Sequence, residues 1–85
     1  MPRSLFSEPY GHLLRVLVDA RRAAGLRQVD LAERLGKPQS FVSKVERGER
    51  RLDVVELIVV ARAIGVDEIR FLRTVAGAVP RKARL

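Results

Sequence analysis

Residues 28–51 read QVDLAERLGKPQSFVSKVERGERR, and how they pack decides the fold. Apolar residues fall at helical spacing on both sides of a Gly-Lys-Pro turn: Leu31, Ala32 and Leu35 before it, Val42 and Val45 after it. The segment after the turn is otherwise polar and basic. Taken alone, it fits a solvated helix as well as one that lies in a groove of nucleic acid. Two short helices joined by about three residues must cross steeply, so their contact needs small or apolar residues at fixed places. Counting Gln28 as the first position, Ala32 is the fifth, Gly36 the ninth, Val42 the fifteenth and Val45 the eighteenth. Ala32 lets the helices approach, Gly36 can take the left-handed conformation of the turn, and the two valines plug the corner. Each alone is weak. In register they define helices over 28–35 and 38–47.

Upstream, residues 12–24 (HLLRVLVDARRAA) place Leu13, Leu17, Ala20 and Ala24 on one helical stripe that Gly25 ends. Downstream, residues 53–64 are rich in β-branched side chains, which alone would suggest a strand. Asp53 and Glu56 resemble a capping box, Val54, Leu57, Ala61 and Ile64 form one stripe, and Gly65 is a natural C-cap; together they favour a helix. A fifth helix over 67–75 begins at Asp67 and is expected to bury Ile69, Leu72 and Val75. The chain is thus read as all-α and five-helical. It divides into an N-terminal arm (1–11), a helix-turn-helix domain (12–75) and a basic, frayed tail (76–85).

At 85 residues with 47% apolar content the chain forms one small domain. It has no Cys and a single His (His12), which argues against disulfide staples and against a metal site. One His, no Cys and no carboxylate pair joined to a nucleophile make an enzyme a poor fit, and no cofactor is implied. The net charge of +7 points to a polyanionic partner. No apolar run approaches the roughly 20 residues of a membrane span, and the start has no signal-peptide core. A cytoplasmic protein with no membrane partner is expected.

From Leu13 to about Leu72 the sequence resembles the Cro/repressor-type helix-turn-helix proteins, the XRE family. The strongest stretches are RRAAGLRQVDLAERLG (21–36), PQSFVSKVERGERR (38–51) and LIVVARAIGV (57–66). The resemblance implies a five-helix, lambda-repressor-like domain whose third helix enters the DNA major groove, commonly as a dimer on a palindromic site. It also implies a phosphate contact at Gln28, and a structural ion pair between Arg21 of the first helix and Glu46 ending the third.

With Val42 and Val45 inward, Gln39, Ser40, Ser43 and Lys44 face outward and are expected to read bases. Gln can bond adenine bidentately, Lys can donate to guanine, and Ser can serve either. Arg47, Arg50 and Arg51 follow the third helix as expected phosphate contacts, which set affinity and carry little sequence information. Position 27, usually Ser or Thr in the family, is Arg, so the cap of the second helix must come from elsewhere. Pro38 suits a first helical turn but leaves Lys37 as a poor cap. Phe41, between the two faces, is expected at the core edge.

Leu14, Val18, Val55, Val59 and Phe71 lie off the stripes and are the expected homodimer surface, unless the arm (Leu5, Phe6, Tyr10) covers them. The expected function is a sequence-specific transcriptional regulator of double-stranded DNA, a repressor or autoregulatory controller. The alternative is an antitoxin that binds a toxin as well as its own promoter.

Overall fold

The computed structural model describes residues 9–84. They form α1 (Pro9–Ala23), α2 (Gln28–Leu35), α3 (Gln39–Glu46), α4 (Val54–Ile64) and α5 (Glu68–Ala78), with no strand among the described residues. Residues 1–8, most of the expected arm and with them Leu5 and Phe6, lie outside the described residues.

The turn between α2 and α3 follows the sequence pattern. Gly36 adopts φ 69°, ψ 32°, and its N–H donates to the carbonyls of Ala32 and Glu33. The Lys37 N–H also donates to the Ala32 carbonyl, at 3.0 Å, so the last turn of α2 leaves few orphan acceptors. A Cβ at Gly36 would meet nothing within 4 Å; the positive φ, rather than crowding, is what requires glycine there. Pro38 is the N-cap of α3, and its carbonyl accepts from the Phe41 N–H at 3.0 Å. The third helix therefore starts at Gln39, one residue later than the sequence pattern suggests.

The other caps explain the remaining boundaries. Asp53 accepts from the Glu56 N–H at 2.7 Å, and Glu56 accepts from the Asp53 N–H at 2.9 Å; this reciprocal box starts α4. Asp67 accepts from the N–H groups of Ile69 and Arg70 at the head of α5. Arg27 cannot accept a hydrogen bond at the N-cap of α2. Asp30 supplies the bond from the other side, accepting from the Arg27 N–H at 2.8 Å.

The core is built from Leu17, Leu31, Ala32, Val42, Val60, Ala61, Ile64, Phe71 and Val75. α2 packs on α3 and α4, while α1 crosses behind α3, α4 and α5. Phe41 is half-buried and packs against this cluster. Removing a side chain such as Leu17 or Leu31, each almost fully buried, would cost about 2–5 kcal/mol.

Two registers differ from the sequence reading. On α1 the buried row is Gly11, Leu14, Leu17 and Arg21, while Leu13 and Ala20 are half-buried and Ala24 is exposed. Leu13 and Leu14 both stand at helical spacing from Leu17, so periodicity alone does not choose between them. Arg21 does. Its guanidinium must turn inward to reach Glu46, and that rotation brings Leu14 inward too. On α5 the buried pair is Phe71 and Val75, leaving Ile69 and Leu72 exposed; on α4, Val54 is exposed. Leu14 and Phe71 are therefore core residues and cannot form a dimer surface. α5 also runs on to Ala78, with Val79 packed against the core, so ordered structure extends past the expected start of the tail.

Candidate nucleic-acid interface

Arg21 and Glu46 sit at the centre of the site. The Arg21 guanidinium donates from Nε to Glu46 Oε2 at 2.6 Å and from Nη2 to Oε1 at 3.0 Å. Its Nη1 donates to the Leu26 carbonyl at 2.7 Å, which ties in the loop between α1 and α2. The two side chains are only 8% and 7% exposed. The geometry is the bidentate fork that makes Arg–carboxylate pairs directional, here fixing the C-terminal end of α3 against α1.

A chain of amides extends this pair to the surface. Gln28 Nε2 donates to Glu46 Oε1 at 2.9 Å, and Gln28 Oε1 accepts from Gln39 Nε2 at 3.2 Å. The expected phosphate-contacting and base-reading glutamines are thus directly bonded. Sequence reasoning missed this link, because nothing periodic connects positions 28 and 39. Gln39, Ser40 and Lys44 are exposed on the outer face of α3, while Ser43 is half-buried beside them. Val42 and Val45 face inward and are buried, so the outward set is the one their positions imply.

The loop after α3 is more structured than a row of free cations. Arg50 donates from Nη1 to Glu56 Oε1 at 2.7 Å and to the Arg51 carbonyl at 2.8 Å, and lies 4.9 Å from the centre of the Phe41 ring. Lys37 approaches the same ring at 5.4 Å. Arg51 stacks on the Tyr10 ring at 4.1 Å, and the Tyr10 hydroxyl accepts from the Leu52 N–H at 3.1 Å. Arg47 is exposed, with a weak surface pairing to Glu49. Arg47 and Arg51 present their charge outward, whereas Arg50 is committed to joining α3 to α4.

Two carboxylates record these contacts electrostatically. The hydrogen bond from Arg50 and that from the Asp53 N–H hold Glu56 down to about 2. Asp30 is likewise lowered to about 2, first by the hydrogen bond from the Arg27 guanidinium and then by the Arg27 N–H. Both stay ionised at neutral pH and keep the heads of α2 and α4 capped.

Among the expected dimer residues, Val55 and Val59 are exposed, and Val18 is half-buried at the edge of a polar cleft between α1 and the ends of α2 and α3. A different apolar surface lies between α4 and α5. Val54, Ile69 and Leu72 are 74%, 59% and 54% exposed and flank a groove floored by Leu57, Ile58 and Phe71. No helix among the described residues is long and apolar enough to cross a membrane.

Helix, left-handed glycine turn and second helix with a polar outer face, locked from behind by a buried ion pair, define a helix-turn-helix domain. A helix-turn-helix family profile matches residues 17–71, and the chain belongs to that family, in its XRE branch. It is similar to the solved XRE-family-like protein from Pseudomonas syringae pv. tomato str. DC3000, with 51% identity and a TM-score of 0.74 over 80% of this chain and 83% of that one. It is also 36% identical over 52 residues to the HTH-type transcriptional regulator y4dJ of Sinorhizobium fredii (strain NBRC 101917 / NGR234), a match covering 61% of this chain and 68% of the relative.

Proposed function

We propose that this protein is a DNA-binding transcriptional regulator that represses from a palindromic operator as a homodimer. Family membership supports DNA binding and regulation. The observation that carries the sequence-specific reading is the bonded series Arg21–Glu46–Gln28–Gln39. It holds the Gln39 amide at the exposed head of α3, where a pre-set side chain can bond a base edge with little entropy to lose. Lys44, one turn further along, adds a donor suited to guanine. Arg47 and Arg51 flank the helix as phosphate contacts that set affinity.

Pairing through the α4–α5 edge suits this task. Val54, Ile69 and Leu72 form one apolar surface continuous with the groove floor. Val55 and Val59, by contrast, border a cavity shared with Lys37 and Phe41, so a partner seated there would crowd the DNA-facing helix. Selection of bound duplexes from random DNA tests the whole proposal. The expected result is an enriched site with two inverted half-sites about one helical turn, roughly 34 Å, apart. No enrichment over non-specific duplex would remove sequence-specific regulation.

A further inference from the structure

Three arginines follow α3, and two of them are held by carboxylates. Arg47 donates from Nε and Nη2 to Glu49 at 2.9 and 3.3 Å, and Arg50 donates from Nη1 to Glu56 at 2.7 Å. Arg51 is held by a ring instead, its guanidinium lying 4.1 Å from the centre of the Tyr10 side chain. Tyr10 stands in the first turn of α1, and its hydroxyl accepts from the Leu52 N–H at 3.1 Å. One tyrosine therefore holds the side chain of residue 51 and the backbone of residue 52. Arg50 fixes the carbonyl between them, donating to it at 2.8 Å. A ring and a carboxylate hold a guanidinium with different consequences. A carboxylate takes up N–H donors and offsets the charge, whereas the face of a ring orients the guanidinium plane and leaves its N–H edge unspent. Arg51 is exposed and has no carboxylate partner among the described residues.

We propose that Tyr10 is a positioning residue for DNA binding, which presents the Arg51 fork to the DNA backbone already oriented and not offset by a carboxylate. The inference rests on the DNA-binding reading above and extends it from the helix-turn-helix to the head of α1. An arginine that is free in solution gives up rotamer freedom when it binds, whereas one stacked on a ring has given up much of it on folding. The planar fork matches two phosphate oxygens, and both the stacking and the match belong to arginine rather than lysine. The hydroxyl bond falls at Leu52, directly before Asp53, the N-cap of α4. Tyr10 thus sets the fork relative to α1 and α4, the scaffold behind the reading helix. A backbone phosphate carries no sequence information, so Tyr10 acts on affinity for every duplex and not on the choice of base.

The test is a double-mutant cycle between Tyr10→Leu and Arg51→Ala. Binding is measured over a salt series, to the operator selected by the wild-type protein and to a duplex of the same length without the site. Arg51→Ala should weaken both duplexes several-fold, keep their ratio, and flatten the slope of log K against log salt by about 0.9 per protomer. Tyr10→Leu should also weaken both several-fold on its own, and change nothing further in the Arg51→Ala background. Tyr10→Phe keeps the ring and should keep most of the affinity. Arg51→Lys keeps the charge without the fork, and should keep the slope while losing affinity. A tyrosine that serves only the fold would weaken binding equally with and without Arg51, and that result overturns the proposal. A folded Tyr10→Leu variant that binds like the wild type overturns it too. Should Tyr10→Leu fail to fold, NMR of the wild type decides: the ring should shift the Arg51 Cδ protons upfield, free and on DNA, and the shifts of an ordinary exposed arginine would overturn the stack. Each of these failures leaves the DNA-binding reading intact, whereas a wild type that does not bind duplex DNA would overturn both.

Discussion

Glu46 serves two partners at once: it anchors Arg21 from behind and accepts from Gln28 in front. Removing it leaves a guanidinium buried without its counter-charge, a change that typically costs about 3–5 kcal/mol. Glu46→Ala and Arg21→Ala should both lower the melting temperature markedly, and calorimetry showing no shift in either would remove the architectural role. Gln28 differs, being a bridge rather than an anchor. Gln28→Ala should leave the melting temperature nearly unchanged yet weaken operator binding, since it frees Gln39 as well as losing its own contact. Gln39→Ala and Lys44→Ala should each cost about 1–3 kcal/mol on the operator and little on non-specific DNA. In a double-mutant cycle, the Gln28 and Gln39 losses should couple by about 0.5 kcal/mol or more, and strict additivity would mean that the bond between them does not matter for binding. The outward set on α3 was legible in the sequence, because two inward valines fix the helix phase. The 28–39 bond was not, since it joins two side chains across a turn and leaves no spacing to detect.

The heads of α2 and α4 depend on carboxylates at their third positions, which is where an acidic residue best offsets the unpaired N–H groups of a helix start. Asp53 and Glu56 are visible in the sequence as a box. Asp30 is the same device with only its returning half, and an acidic residue three places after Arg27 is the signal that could have located the missing cap. Glu56 and Asp30 are held near 2 by their arginine partners, below the usual carboxylate range of about 4. A carboxylate lowered in this way adds stability that is complete above about pH 4 and lost as pH falls toward 2. Glu56→Gln should therefore flatten the acid limb of the stability curve between about pH 5 and pH 2. A limb as steep as the wild type would show that Glu56 titrates alike in the folded and unfolded chain. Helix existence was legible throughout, whereas helix phase was not always so. On α5 the row Ile69, Leu72 and Val75 and the pair Phe71 and Val75 fit helical spacing equally well. Contact with α1 and α4 selects the second.

At the scale of the whole molecule, an apolar edge of α4 and α5 stands exposed on a chain with excess positive charge. One domain reads a few base pairs and neutralises few phosphates, so a monomer should lose most of its affinity in physiological salt. In the proposed dimer, two copies related by a two-fold axis would double both contributions and would bury the Val54, Ile69 and Leu72 surface. Phe71 lies in the core, so a charge there should unfold the domain, whereas Leu72 stands on the rim of the groove. Leu72→Glu should give a folded monomer in sedimentation at micromolar concentration, with the wild-type melting profile largely kept and operator binding much weakened. Val59→Glu should remain dimeric, because its side chain faces the cavity beside Lys37 and Phe41. If Val59→Glu dissociates the protein and Leu72→Glu does not, the pairing surface is the opposite side of α4. A wild-type monomer protecting a single half-site would exclude pairing through either face.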